Sequence, residues 1–490
     1  MMRIPLRPNS ALAQLLVLAP LLGSCSPGPD FVAPAPPAPS SGYANTGSPR
    51  VDLRVEMGGG PQGRWWEGFG SRDLDALVER ALVNNQTLAA SDATLEQARQ
   101  QIAAVVGRRL PQVDANARIE HEEINLAAFG FNPATFGSSV AISNPHFNLY
   151  TVGGGVSYDL DLFHRNARAL EQARAEGEAQ RQQSAAAHLT IAGRVAAQVL
   201  MIAVIRDHIA AMQGLVDDSA RNLALTRTRQ QLGSGTLVEV LTAQAQLAED
   251  QSQLPALDQQ LAEARDMLAI LVGISPAELG PTSFSLAQFT LPAKIPVALP
   301  SALVHQRPDI LIAEARLHAA TAAVGVAAAN MYPDITLGGT YAQAANTIGS
   351  LLSNQFRGFD VFAGLTAPIF HGGTLTAQKR GAEASARAAA ATYRETVLEA
   401  FQQVSDLLSS IDTDQRTLAA TRESVAISGH SLDLSRRSFQ IGYSGVLQVL
   451  TANQTHERAQ LALIDAQGKQ ILNVARLYVA TAGGWLPTGE

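Results

Sequence analysis

Cysteine, aromatic residues and positive charge are all scarce in this chain of 490 residues. A single cysteine, Cys25, excludes an internal disulfide framework and a cysteine-based zinc cluster. Aromatic residues make up 5% of a chain that is 46% apolar, and alanine runs such as Ala388–Ala391 supply the missing bulk. This composition predicts helices that pack closely through small side chains. The formal net charge of −7 disfavours a nucleic-acid-binding surface.

The sequence motifs of common enzyme classes are also missing. The ten histidines include no His-Glu-x-x-His pair, and the sequence has no Walker loop and no Gly-x-Ser-x-Gly nucleophile elbow. The glycine runs Gly58–Gly60 and Gly153–Gly155 fall in a proline-rich stretch and in a strand-like tract, so neither is typical of a phosphate cradle. We therefore predict a protein that is not an enzyme and needs no cofactor or metal.

The amino terminus has the pattern of an export signal. Arg3 and Arg7 precede an apolar run, Ala11–Leu22, which is too short and too early for a transmembrane helix. The small residues before Cys25 complete a resemblance to a bacterial lipobox, so we predict a lipoprotein signal peptide over 1–24 and a lipid on the cysteine. The alternative is an ordinary signal peptide that is cleaved beside an incidental cysteine.

The stretch that follows is rich in proline, glycine and serine and predicts a lipid-anchored, extended tether over 25–64. Ser26 stands where an aspartate is typical of retention in the inner membrane, so the lipobox resemblance implies sorting to the outer membrane. The folded body is expected to begin near Trp65.

The remainder of the chain is an internal duplication. The segment Leu225–Gln244 recurs as Leu434–Asn453, and both copies contain the sequence Val-Leu-Thr-Ala. We predict a first repeat, a proline-rich linker, a second repeat and a short tail. Their predicted bounds are 65–274, 275–300, 301–485 and 486–490. An extra surface loop at 124–148 accounts for the greater length of the first repeat.

Each repeat has the same predicted order of helices and strands. A helix comes first, two strand-like tracts follow, and a long helix then turns back through a glycine-containing turn into another helix. The long tract has about 60 residues, roughly 90 Å at the rise of an α-helix, and must pack along neighbours as a coiled coil. The predicted helices are 71–107, 166–230 and 237–272 in the first repeat, and 301–330, 372–440 and 446–481 in the second.

The strand-like tracts raise the question of a membrane-spanning barrel. Apolar and polar residues alternate in Val113–Ile119 and in two tracts of the second repeat, Ile335–Tyr341 and Phe359–Ala367, with lengths that suit a membrane-spanning strand. The fourth tract, Tyr150–Tyr158, has no clean pattern. Four strands cannot close a barrel, and open sheet edges are not tolerated in lipid. Membrane strands would therefore require an oligomer, with eight strands from two chains or twelve from three. Two soluble hairpins are the alternative.

Several motifs together resemble the outer-membrane efflux proteins, a TolC/OprM-like family, and in particular its NodT-type lipoprotein members. The tract Leu303–Leu317, with its Arg-Pro-Asp sequence, is similar to the opening of the family's second repeat. Its continuation Tyr332–Ile335, the joint Ala367–Gly373 and the entry segment Trp65–Gly70 fit the same family. The resemblance covers about residues 60–485.

The resemblance implies a fold that is mainly α with a small β part, and a homotrimer. Four strands from each chain would form a twelve-stranded barrel in the outer membrane, above a long α-helical periplasmic tunnel. The implied partners are a periplasmic adaptor (membrane fusion) protein, an inner-membrane resistance-nodulation-division pump and outer-membrane lipid, with no nucleic acid.

Two glycine-containing turns are the candidate contact surface for the adaptor. By resemblance they are the periplasmic tips of the tunnel, and the alternative is that they serve only as turns. The predicted tip residues are Leu232, Gly233, Ser234, Gly235 and Thr236 in the first repeat, and Ile441, Gly442, Tyr443, Ser444 and Gly445 in the second.

The family often narrows its tunnel near these tips with a ring of aspartates. The matching positions of the second repeat hold Gln448 and Thr451, while the first repeat has Glu239 at the position equivalent to Gln448. We hypothesise that Glu239 and Gln448 line the closed aperture, where three glutamates would repel one another and attract cations. A solvated surface glutamate is the alternative.

The sequence thus predicts the passive exit duct of a tripartite efflux system, which takes drugs or other small molecules from the pump and adaptor to the exterior. Two other interpretations stay open. One is a duct for type I protein secretion, which the lipobox and the Arg307–Asp309 tract disfavour. The other is a structural, lipid-anchored coiled-coil protein of the cell envelope.

Overall fold

A computed structural model describes residues 27–35, 54–58, 63–129, 144–292, 294–298, 300–351, 353, 355 and 357–481. It is 70% helical with a small antiparallel sheet, which confirms the predicted fold class of a mainly α chain with a small β part. The chain divides into two compact units. The first unit comprises residues 1–33, 97–177 and 316–390, and the second comprises 34–96, 178–315 and 391–490.

The helices and strands follow the duplicated order. The helices are α1 (Arg72–Asn84), α2 (Gln86–Arg108), α3 (Arg165–Gln231), α4 (Leu237–Val272), α5 (Pro308–Ala329), α6 (Thr374–Gln440) and α7 (Val446–Thr481), with a single helical turn at Pro300–Leu303. The strands are β1 (Arg54–Met57), β2 (Gln112–Glu123), β3 (His146–Asp159), β4 (Lys294–Val297), β5 (Asp334–Ala345) and β6 (Arg357–Thr366).

Two helical hairpins of equal size dominate the chain. In each repeat a helix of 67 residues turns back into one of 36 residues: α3 into α4, and α6 into α7. Both long helices start and end close to the predicted residues. By length and composition α3 and α5 could each cross a membrane, but 56% and 44% of their most apolar windows are buried inside the protein. That burial is typical of core helices.

The first helix of each repeat differs from its prediction. The helix expected over 71–107 is broken at Asn85, whose backbone is extended (φ −67°, ψ 124°). The side-chain Oδ1 of Asn85 accepts a hydrogen bond from the N–H of Thr87 (2.9 Å), and its Nδ2 donates to the carbonyl of Leu271 in α4 (2.8 Å). A tertiary contact therefore holds this break. The helix expected over 301–330 begins at Pro308 instead, because proline disfavours helical backbone in the residue before it and favours the first helical position.

The first unit contains a four-stranded antiparallel sheet with the order β2-β3-β5-β6. Each repeat contributes one hairpin, and the two hairpins join through β3 and β5, with Gly154 opposite Tyr341. Within the described residues β2 and β6 each have a neighbour on one side only. The sheet can therefore accept further strands at both edges.

The second unit has an aromatic cluster at its entry segment. Trp65, Trp66 and Phe69 are buried, and the ring of Trp65 lies 5.9 Å from that of Tyr478 in α7. Elsewhere helices approach closely through small residues. A Cβ on Gly468 of α7 would lie 2.3 Å from a methyl group of Val204 in α3, so this close packing requires glycine at position 468.

Two segments of the proposed tether contact other parts of the chain. β1 (Arg54–Met57) pairs in parallel with β4, and residues 27–35 include contacts with the first unit that are described below. Both segments lie inside the 25–64 stretch that is predicted to be an extended tether. The extended tether stays a prediction, and these two segments have partners in the fold that it did not include. Composition alone did not indicate this, because both segments are fixed by residues distant in sequence.

Candidate functional site: two helical turns and a two-faced sheet

The turn between α3 and α4 is set by a glycine in the left-handed region. Gly233 has φ 73°, its N–H donates to the carbonyl of Gln230 (3.0 Å), and the N–H of Ser234 donates to the carbonyl of Arg229 (2.9 Å). These bonds satisfy carbonyls that the helix end leaves free. A side chain with a Cβ would be strained at this φ, which explains the glycine.

The turn between α6 and α7 repeats this geometry. Gly442 has φ 83° and donates to the carbonyl of Phe439 (3.1 Å), and the N–H of Tyr443 donates to the carbonyl of Ser438 (2.9 Å). The duplication of sequence is thus a duplication of backbone conformation. The predicted tip residues Leu232–Thr236 and Ile441–Gly445 form these two turns.

The two turns differ in how the next helix begins. In the first repeat the Thr236 hydroxyl accepts a hydrogen bond from the N–H of Glu239 (3.2 Å), and the Glu239 carboxylate accepts one from the N–H of Thr236 (2.8 Å). This is a complete capping box. The second repeat has Gly445 and Gln448 at these positions, and Gly445 has no side chain that could cap α7.

Large apolar side chains at the turns point into solvent. Leu232 is 78% exposed, Ile441 is 69% exposed and Tyr443 is 85% exposed. Ser444 differs, because its hydroxyl oxygen is buried and has no hydrogen-bond partner among the described residues. Exposed apolar side chains at both turns are typical of a surface that another protein covers.

The structure brings the two turns together. The Arg229 guanidinium donates to the carbonyl of Phe439 (3.1 Å) and lies 4.4 Å from the centre of the Phe439 ring. One carboxylate oxygen of Glu239 approaches Gly445, 3.9 Å from where a Cβ would stand. Sequence analysis missed Arg229 and Phe439, because the repeat comparison aligns them with Ser438 and Gln230 and so reveals no shared motif.

Polar side chains connect the two hairpins behind the turns. Arg436 of α6 donates to Asp218 of α3 and to Asn453 of α7 (3.3 Å). Gln454 of α7 donates to Gln246 of α4 (2.7 Å). The bonds from Arg436 to Asp218 and from Gln454 to Gln246 join helices of different repeats, so a separation of the hairpins must break them.

A histidine lies close to this network. Burial lowers the pKa of His456, and so does the positive charge of Arg436, while Asp218 opposes both. His456 shares a hydrogen bond with the hydroxyl of Ser428 (3.0 Å). With its pKa lowered, the ring is predominantly neutral at neutral pH.

The two predicted aperture residues have different surroundings. Gln448 is exposed and lines a groove of about 620 Å³ between α6 and α7, whereas Glu239 is half-buried in its capping box. The aperture role of both stays a prediction. The groove is lined by Ser428, Ser431, Ser435, Gly445, Leu447, Gln448, Thr451, Ala452 and Thr455.

The sheet has one apolar face and one largely polar face. Directly paired residues lie on the same face, so the register assigns every side chain. One face carries mostly apolar residues and glycine, with polar residues such as His121, Gln343 and Arg357 towards one end, and Val361 is 84% exposed there, Phe359 80% and Val113 78%. The opposite face carries Asp, Asn, Arg, Thr and Ser side chains with several glycines. Its large apolar side chains are Phe147 and Leu149 near the start of β3 and Phe362, whose ring covers Gly338.

The Arg-Pro-Asp tract at Arg307 connects several helices inside the second unit. The Arg307 guanidinium binds the Asp309 carboxylate with two nitrogens (2.8 Å and 2.9 Å), the Ala480 carbonyl (3.0 Å) and the Gln403 side chain (2.6 Å). It therefore connects the start of α5 to α6 and α7.

Among the described residues no group of three or more His, Cys, Asp and Glu side chains is arranged to hold a metal ion. The predicted lipidation site, Cys25, and the predicted tail, 486–490, lie outside the described residues.

Comparison with known proteins agrees with this architecture. The family model described as outer membrane efflux protein matches residues 77–274 and 299–483. The pyoverdine export outer membrane protein OpmQ of Pseudomonas aeruginosa is 30% identical over 469 residues, which are 95% of this chain and 95% of OpmQ. The probable outer membrane lipoprotein SilC of Salmonella typhimurium is 24% identical over 95% of this chain and 97% of its own length. The outer-membrane channel OprN superposes with a TM-score of 0.83 at 25% identity and covers 94% of this chain and 100% of its own. The chain therefore belongs to the outer membrane efflux protein family.

Proposed function

We propose that this chain is the outer-membrane exit duct of a tripartite efflux system, through which drugs or other small molecules pass without catalysis by the duct itself. The observation that carries the proposal is the two-faced sheet. An exposed face made mostly of apolar residues and glycine suits lipid, and the polar face opposite it suits a water-filled lumen. OpmQ, which is similar over nearly the whole chain, is named for pyoverdine export.

The duct is proposed to be a homotrimer. The sheet has two edges, β2 and β6, whose outward backbone groups would be costly in lipid without a neighbouring strand. Pairing β2 of one copy with β6 of the next removes every edge, and three copies give a closed barrel of twelve strands. The similarity to the channel OprN supports this assembly.

The two turns are proposed to be the docking surface for a periplasmic adaptor, which in turn connects to an inner-membrane pump of the resistance-nodulation-division class. The exposed Leu232, Ile441 and Tyr443 provide apolar contacts there. Glu239 and Gln448 are proposed to line the aperture behind them.

Cys25 is proposed to carry a lipid that anchors the mature chain to the outer membrane. The support is the lipobox pattern before this residue, together with the similarity to SilC, which is named a probable outer membrane lipoprotein. Mass spectrometry of the purified mature protein tests this. A residue 25 without added lipid mass would contradict the lipid anchor and leave the duct proposal unaffected.

Reconstitution tests the duct directly. The full chain, purified in mild detergent, is expected to sediment as a trimer and to form discrete ion-conducting channels in planar bilayers. A monomer, or a trimer that never conducts, would contradict the proposal, and the latter outcome would favour a structural envelope protein. Deletion of the gene is expected to raise susceptibility to at least one compound in a panel of drugs, dyes and solvents.

A further inference from the structure

The segment directly after the proposed lipid anchor is bound to the folded protein in the first unit. Gly28 lies against Gly325 of α5 so closely that a Cβ on Gly28 would stand 2.6 Å from the Gly325 Cα. Gly28 also has φ 109°, a backbone conformation that other residues rarely adopt. Glycine is thus needed at this contact for two independent reasons.

Two side chains complete the attachment. The Arg168 guanidinium of α3, whose side chain is only 9% exposed, donates to the Asp30 carboxylate (2.5 Å). The ring of Phe31 stacks on that of His318 of α5, with centroids 4.3 Å apart and planes 12° apart. The buried guanidinium thus gives the segment an ion pair with Asp30, whose own side chain is 87% exposed.

A second carboxylate connects Arg168 and His318, the two side chains that contact the segment. Glu171 accepts hydrogen bonds from Arg168 (2.7 Å) and from His318 (2.9 Å). The arginine stem also packs over Gly325, where a Cβ would meet it at 2.9 Å. The surface that holds Gly28–Phe31 is therefore built from several side chains of α3 and α5 rather than from a single contact.

This surface lies close to the end of β3 and the start of β5, where the sheet meets α3. Arg165, one helical turn before Arg168, donates to Asp159 at the end of β3 (2.5 Å) and to Asp334 at the start of β5 (2.9 Å). Asp30 is the fifth residue after Cys25, so even a fully extended chain reaches no more than about 18 Å from one to the other. A lipid on Cys25 must then enter the membrane beside these strand ends.

We propose that Gly28–Phe31 is a clasp that fixes the lipid-anchored amino terminus at the base of the sheet. The inference rests on the proposed lipidation of Cys25 and on the proposed membrane position of the sheet. With the clasp closed, the acyl chains and the periplasmic ends of the strands share one membrane leaflet. Asp30 and Phe31 position the lipid-anchored amino terminus. Residues after Phe31 do not contribute to the distance between the anchor and the folded protein.

Cleavage of the assembled protein tests the clasp. A specific protease site is inserted within residues 36–53 of the full-length chain, a tag is placed at the carboxyl terminus, and the purified protein is cut in mild detergent. The amino-terminal fragment is expected to stay with the tagged body through washing. In the double variant Asp30→Ala/Phe31→Ala its retained fraction is expected to fall about tenfold. The matched control is Val32→Ala in the same segment, which alters a side chain that is 81% exposed and should keep the fragment bound.

Each outcome decides a separate point. Loss of the fragment from the starting protein, or its full retention by the double variant, overturns the clasp. A retained fragment whose mass lacks a lipid overturns the anchor part of the inference. Channel recordings on the same cleaved sample report on the duct independently, so a failure of the proposed function is distinguishable from a failure of the clasp.

Discussion

Glu239 offers a way to separate an electrostatic role from a structural one. Glu239→Gln removes three negative charges from a trimer but keeps the capping box, because a glutamine at this position can still accept the Thr236 N–H. The expected stability cost is about 0.5 kcal/mol, from the lost charge near the helix amino terminus. Thr236→Ala does the reverse: it keeps the charge and loses a cap worth about 1 kcal/mol.

If Glu239 lines the aperture, the two variants must differ in ion selectivity. The reversal potential of single channels in a KCl gradient is expected to move towards zero in Glu239→Gln and to stay unchanged in Thr236→Ala. The difference should be large in about 0.1 M salt and small in about 1 M, because the screening length falls from about 10 Å to about 3 Å. Equal selectivity of Glu239→Gln and the unsubstituted protein at low salt would refute the aperture assignment. A change confined to Thr236→Ala would assign any effect to the helix cap.

Three further predictions concern the supports of the structure. Arg307→Met removes charge-assisted hydrogen bonds inside the second unit and should lower the unfolding free energy by about 2–4 kcal/mol, measured by thermal or denaturant unfolding in detergent; no loss would contradict its role as a tie. Gly468→Ala should destabilise by about 1–3 kcal/mol because its methyl meets Val204, and Val204→Ala in the same chain should restore part of that loss. Burial alone would raise the pKa of Glu171. Hydrogen bonds from Arg168 and His318 outweigh burial, so the pKa of Glu171 is lowered. Glu171 therefore stabilises the protein above its unfolded pKa near 4.5, and the advantage over Glu171→Gln should disappear as the pH falls through the lower folded pKa.

Local sequence signals predicted the elements whose stability is local. The helical hairpins are long, and their turns require glycine at Gly233 and Gly442, where φ is positive. The strand Val113–Ile119 was predicted because apolar and polar residues alternate in it. For β3 the alternation is obscured by Gly153–Gly155, and only pairing with β2 and β5 assigns its side chains to a face.

The elements that sequence reasoning missed depend on partners distant in the chain. The break at Asn85 needs the carbonyl of Leu271, and β1 needs β4. The clasp at Phe31 needs His318. None of these pairs leaves a periodic pattern, because each side chain is selected by a neighbour that only folding supplies.

The sequence by itself determined the duplication, the order of helices and strands, and the need for several copies if the strands enter a membrane. Those features follow from periodicity, from turn chemistry and from the cost of unpaired backbone in lipid. Only the tertiary structure decided which residues of the two turns meet, that Glu239 caps a helix, and where the amino terminus is held. These depend on distances between residues far apart in the chain, which a linear pattern does not contain.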